Sequence, residues 1–94
     1  MFNILNLLQI EFTEQVSTRS GFVIDFAVYI DREKGIKFAI ETDGANWHNS
    51  PAQRKRDGFR DHLLRREGWK VVRFGEEFNI EDVKITLTQL GLIR

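Results

Sequence analysis

Between Ile40 and His48 the chain sets Glu41, Thr42, Asp43, Gly44, Trp47 and His48 within nine residues, and a further acid, Asp25, stands between Ile24 and Phe26. Asp25 and Glu41 both interrupt runs that otherwise read as buried strands. A carboxylate is costly to bury unless something pairs with it, and a metal ion does this directly. The chain has no cysteine, which excludes disulfides and thiolate zinc sites. Carboxylates, carbonyls and histidine remain as ligands, and that set favours magnesium or manganese. A hard cation on Asp25 and Glu41 keeps open positions for a water and a phosphate oxygen. His48, whose ring titrates near neutrality, is suited to take the proton of that water. Arg56 or Arg60 can stabilise the developing charge, since guanidinium pairs bidentately with phosphate oxygens. The competing reading has Asp25 and Glu41 solvated at a sheet edge or neutralised by a nearby arginine, with His48 a loop residue and Trp47 a core residue.

The register of two strands decides whether these acids meet. Phe22 to Ile30 and Ile36 to Asp43 carry the clearest strand patterns, separated by Asp31-Arg32-Glu33-Lys34-Gly35. With those five residues as the loop, Ile30 faces Ile36, Val28 faces Phe38 and Phe26 faces Ile40, giving one apolar face. The same register sets Asp25 across from Glu41 on the other face, with Asp43 diagonally adjacent. A one-residue slip would separate the acids and mismatch the apolar rows.

The remaining elements follow from local signals. Phe2, Ile4, Leu5 and Leu8 give a short amphipathic helix that starts without a recognisable cap, either short by nature or the end of a longer one. Phe12 to Val16 reads as a strand. Ser50-Pro51-Ala52-Gln53 opens a helix with Ser as N-cap, Pro at the first position and Gln completing a capping box. Ala52, Phe59 and Leu63 trace its buried stripe, with Arg56 and Arg60 flanking it, and Gly68 ends it. Trp69 to Phe74 is a further strand. Asn79 caps a last helix built on Ile80, Val83, Leu87 and Leu90, which Gly91 stops. The order is αβββαβα in a single α/β domain spanning residues 1–94, with a four-stranded sheet flanked by helices.

Fourteen basic and fourteen acidic residues cancel, which argues against a generic polyanion binder. The distribution is uneven, because Gln53 to Arg73 holds eight bases, including Arg54, Arg56 and Arg60, against three acids. That segment can hold phosphates or form a solvated, salt-bridged helix face. No apolar run approaches the roughly 20 residues of a membrane span, and Met1 to Ile10 lacks the features of a signal peptide. A cytoplasmic location without membrane contact is expected.

Ile24-Asp25-Phe26-Ala27, Ile40-Glu41-Thr42-Asp43-Gly44 with Trp47-His48, Arg56-Asp57, Arg60-Asp61, Gly68-Trp69 and Val72-Arg73-Phe74 occur in an order that resembles the PD-(D/E)XK nucleases. The closest resemblance is to the branch related to very-short-patch-repair endonucleases, over roughly Phe12 to Phe78. The resemblance implies a restriction-endonuclease-like core with a mixed sheet and a metal-dependent endonuclease acting on DNA. It matches Asp25 and Glu41 to the metal carboxylates, the Thr42 carbonyl to a backbone ligand, His48 to a histidine beside the attacking water and Trp47 to an aromatic near the nucleic acid. Asp43 stands where the family pattern has lysine, and Phe2 to Gln9 lacks the glutamate many members carry on the first helix. These departures motivate a second expectation, a nuclease-fold module that binds DNA or RNA without cutting it. A homodimer or fusion to a larger DNA-processing protein is compatible with either.

Overall fold

The computed structural model describes residues 1–31, 33–42, 51–75 and 77–93, with the backbone alone for 51–57. Seven elements follow one another: α1 (Phe2–Leu7), β1 (Thr13–Ser17), β2 (Val23–Asp31), β3 (Ile36–Glu41), α2 (Pro51–Arg66), β4 (Trp69–Arg73) and α3 (Ile80–Gln89). The sheet runs in the order β1-β2-β3-β4. β1, β2 and β3 are a meander of antiparallel neighbours, whereas β3 and β4 are parallel and joined by α2. This is the mixed four-stranded α/β sheet and the αβββαβα order expected from the sequence.

Strand alternation sorts the side chains into two layers. Phe26, Val28, Phe38, Ile40 and Phe74 face α1 and α3, where Leu5, Val83 and Leu87 are fully buried. On the other face Ala27 and Ala39 are directly paired across β2 and β3, and both are inaccessible to solvent. Two methyl groups at this point make a shallow floor on which α2 lies closely, with Leu64 packed into the same cluster as Trp69.

The helix ends are set by local chemistry. Asn79 accepts a hydrogen bond from the Asp82 backbone N–H at 2.9 Å, and the Asp82 carboxylate accepts one from the Asn79 N–H at 3.3 Å. Such reciprocal capping satisfies two otherwise orphaned donors. After α2, Gly68 takes a left-handed φ of 91°, and its N–H donates to the Arg65 carbonyl. That conformation suits glycine at the residue following a helix. Ser50, expected to cap the start of α2, lies outside the described residues.

Two expectations are corrected. Phe26–Ile40 and Val28–Phe38 pair as expected, but Ile36 pairs with Asp31 rather than Ile30, and the register shifts between Tyr29 and Asp31. Ile30 is the extra residue and is 48% exposed, so the apolar row ends one position early. The turn supplies the reason: the Asp31 carboxylate accepts the Lys34 N–H at 3.0 Å, and Gly35 adopts a φ of 70°. This shorter turn draws Asp31 into the strand. Among the described side chains of α2 the buried apolar position is Leu64, while Phe59 is 62% exposed and Leu63 only half-buried; the side chain of Ala52 lies outside the description. The inward face carries Arg60, Asp61 and Leu64, spaced three and four residues apart.

Candidate active site

Two acids end up together because the meander registers them. The antiparallel ladder closes with Phe26 paired to Ile40, and Asp25 and Glu41 are the next residues along; Glu41 lies on the α2 face, where it meets Arg60. Glu41 is 1% exposed, the one buried charged residue in the described core. Its neighbour in the parallel ladder is Arg73, and its carbonyl accepts the Phe74 N–H at 2.9 Å.

Asp25 is half-buried at the end of the cluster. Its Oδ2 accepts the backbone N–H of Thr42 at 3.0 Å and the Thr42 hydroxyl at 3.4 Å. The chain leaving β3 is thus anchored on Asp25, which also fixes where residues beyond Thr42 begin. Among the described residues no other hydrogen bond engages this carboxylate.

Two arginines meet the acids. Arg60 Nη2 donates to Glu41 Oε1 at 2.7 Å and to the Val23 carbonyl at 3.0 Å, and the guanidinium carbon lies 5.6 Å from the centre of the Phe22 ring. A lone ion in such a place costs several kcal/mol, and Arg60 offsets that cost for Glu41. Beside it, Arg73 donates through both terminal nitrogens to Asp61, each at 2.9 Å. Four charged side chains from β3, β4 and α2 therefore form two ion pairs between the helix and the sheet, where an ordinary helix-on-sheet layer would be apolar.

Thr42 is hydrogen-bonded to Asp25 and Arg60 to Glu41, and Arg60 turns inward where it was expected to flank the stripe. Asp43, Trp47 and His48 lie outside the described residues. Arg54 and Arg56 lie on α2, but their side chains also fall outside the description. The Asp61–Arg73 pair was missed. Asp61 reads from sequence as a helix-surface partner of Arg65, and its true partner depends on how α2 crosses the sheet. One signal pointed to Arg73: it shares strand parity with Trp69 and Val71, both on the α2 face.

No group of three or more Asp, Glu, His or Cys able to hold a metal occurs among the described residues. The donors that do occur fit a hard divalent cation. Asp25 and Glu41 supply carboxylate oxygens from adjacent strands, the second of them paired with a positive charge. Magnesium is commonly held by just one or two carboxylates and keeps several waters.

No helix among the described residues is long and apolar enough to cross a membrane. Neither a curated protein nor a solved structure matches the chain. The family model REase_MTES_1575, describing restriction-endonuclease-like proteins, matches residues 1–90. A mixed sheet with acids at the end of its central hairpin, under a helix that closes a parallel crossover, is consistent with that match: the chain belongs to the REase_MTES_1575 family and is a nuclease-fold domain.

Proposed function

We propose that this domain is a divalent-metal-dependent endonuclease that hydrolyses DNA phosphodiester bonds, in repair or restriction, in the cytoplasm. The observation that carries the reading is that Asp25 and Glu41 follow one step beyond the Phe26–Ile40 pair at the end of the hairpin, with Glu41 at 1% exposure. Asp25, Glu41 and the Thr42 carbonyl would hold magnesium or manganese, which supplies Lewis acidity and an activated water when bound. His48 takes the proton from that water, Asp43 completes the acidic group, and Trp47, Arg54, Arg56 and Arg60 contact the nucleic acid. The order of these residues supports a kinship with very-short-patch-repair endonucleases within the wider nuclease superfamily.

The test is incubation of the protein with supercoiled plasmid and with branched DNA in magnesium or manganese. Cleavage is expected, and Asp25→Ala or Glu41→Gln should each reduce it by at least about a hundredfold, the scale of losing a metal-held transition-state contact. Cleavage that survives both substitutions refutes the assignment.

A second reading is favoured by the Arg60–Glu41 pair, which already compensates Glu41 without a cation. In it the domain holds DNA or RNA without cutting. Salt-sensitive nucleic-acid binding that persists in EDTA, with no cleavage under any metal, is its signature.

A further inference from the structure

Arg60 is held at three points. Val23 offers a neutral carbonyl, Phe22 offers a ring face, and Glu41 offers a charge. The first two position the guanidinium, and the third is where it matters electrostatically. Glu41 sits at 1% exposure, and the Arg60 side chain that meets it is 17% exposed. The neighbouring acid on α2 does not draw Arg60 away, because both oxygens of Asp61 are taken by Arg73.

A guanidinium on Glu41 Oε1 does what a bound cation would do: it compensates a buried carboxylate. The two cannot do so together without cost. A divalent ion on the same carboxylate would stand within a few ångströms of the guanidinium, and like charges at that separation repel strongly where the surroundings are poorly screened. We infer that Arg60 is a built-in counter-ion that competes with the divalent cation for Glu41, and that it leaves Glu41 when the cation binds. This rests on the metal reading of Asp25 and Glu41 given above.

The exchange is physically accessible. Arg60 lies at the boundary of the interior on a long, flexible side chain, and among the described residues its two other contacts are a single hydrogen bond and a ring face at 5.6 Å. Once displaced, the guanidinium is suited to a phosphate oxygen, with which it pairs bidentately. Apparent metal affinity is then the intrinsic affinity reduced by the fraction of molecules in which Glu41 is released. A pair closed nine-tenths of the time weakens metal binding about tenfold.

A purely structural arginine makes the opposite prediction, because its removal would loosen Glu41 and weaken the metal. The experiment is a Mn2+ titration of the purified protein, read as free Mn2+ by electron paramagnetic resonance, for the parent, Arg60→Gln and Glu41→Gln. Arg60→Gln is expected to bind Mn2+ about tenfold more tightly than the parent, and Glu41→Gln at least about tenfold more weakly. Equal or weaker binding by a natively folded Arg60→Gln protein overturns the inference and leaves the metal reading standing. No Mn2+ binding by the parent or by Arg60→Gln overturns both.

Arg60→Gln removes one charge partner of Glu41, so the parent is also followed directly. The guanidinium Nε–H resonance of Arg60, assigned by its loss in Arg60→Lys, is tracked through a Mg2+ titration. It is expected to move and to exchange faster with water as Mg2+ saturates. A resonance unchanged at saturation overturns the inference.

Discussion

Asp61 and Arg73 join the middle of α2 to the last residue of β4 through two parallel hydrogen bonds, each 2.9 Å long, with both side chains 15% exposed. Such a fork matches the planar guanidinium to the carboxylate and fixes the angle at which the helix crosses the strand. Asp61→Asn keeps the shape but removes the charge from a mostly buried arginine. A loss of about 2 kcal/mol in unfolding free energy is expected, read from urea denaturation. The double variant Asp61→Leu/Arg73→Met should recover more than half of that loss, since removing both charges leaves neither uncompensated.

The inward face of α2 is tested by two neighbouring apolar residues of opposite environment. Leu64 is inaccessible to solvent on the alanine floor, whereas Phe59 is 62% exposed. Leu64→Ala should cost about 2–5 kcal/mol. Phe59→Ser should change stability by no more than about 0.5 kcal/mol. Thermal or urea unfolding of the two variants distinguishes this face from the one that apolar periodicity alone suggests.

The start of α3 gives an independent measure of local stability away from the acids. Asn79→Ala removes the acceptor for the Asp82 N–H and should cost about 1 kcal/mol. Because α3 packs on the opposite face of the sheet from Glu41, DNA cleavage below the unfolding transition should be unaffected. A parallel loss of cleavage would show that the two faces are coupled.

Removal of divalent cations should separate activity from folding. With EDTA, plasmid cleavage is expected to stop. The far-ultraviolet circular dichroism should remain, with the thermal midpoint within about 4 °C of its value in EDTA-free, low-metal buffer, a shift corresponding to under about 1 kcal/mol. The reason is that Glu41 is already paired by Arg60 in the structure. Unfolding on chelation would instead mean that the cation is part of the fold.

The sheet was legible because its constraints agree. Phe26 with Ile40 and Val28 with Phe38 lock the hairpin register, and that register brings Asp25 and Glu41 to the same end of the hairpin. Asn79 was legible because a cap is a local device. Ile30 was misplaced because a hairpin admits an extra residue on one strand, and the choice lay in the Asp31 turn and Gly35. The stripe of α2 was misread for a different reason. Hydrophobic periodicity assumes an apolar partner, but the sheet under this helix includes Glu41 and Arg73, so the matching positions are Arg60 and Asp61 while Phe59 turns outward. The roles of Asp43, Trp47 and His48 rest on the sequence alone.

The parallel pairing of β3 with β4 also sets the order in which the molecule is built. β1, β2 and β3 are joined by short links and can pair early, whereas Lys37 meets Trp69, and Glu41 meets Arg73, only after all of α2 has been laid across the sheet. Closing that longer loop costs more chain entropy before any contact repays it. The meander is therefore expected to form the folding nucleus, with the charged cluster assembled last. Stopped-flow measurements should find that Val28→Ala slows refolding, whereas Val71→Ala mainly speeds unfolding. The reverse pattern would place the crossover first. On the expected route, Glu41 waits on the edge of a three-stranded sheet, still hydrated, until Arg60 arrives with the helix to cover it.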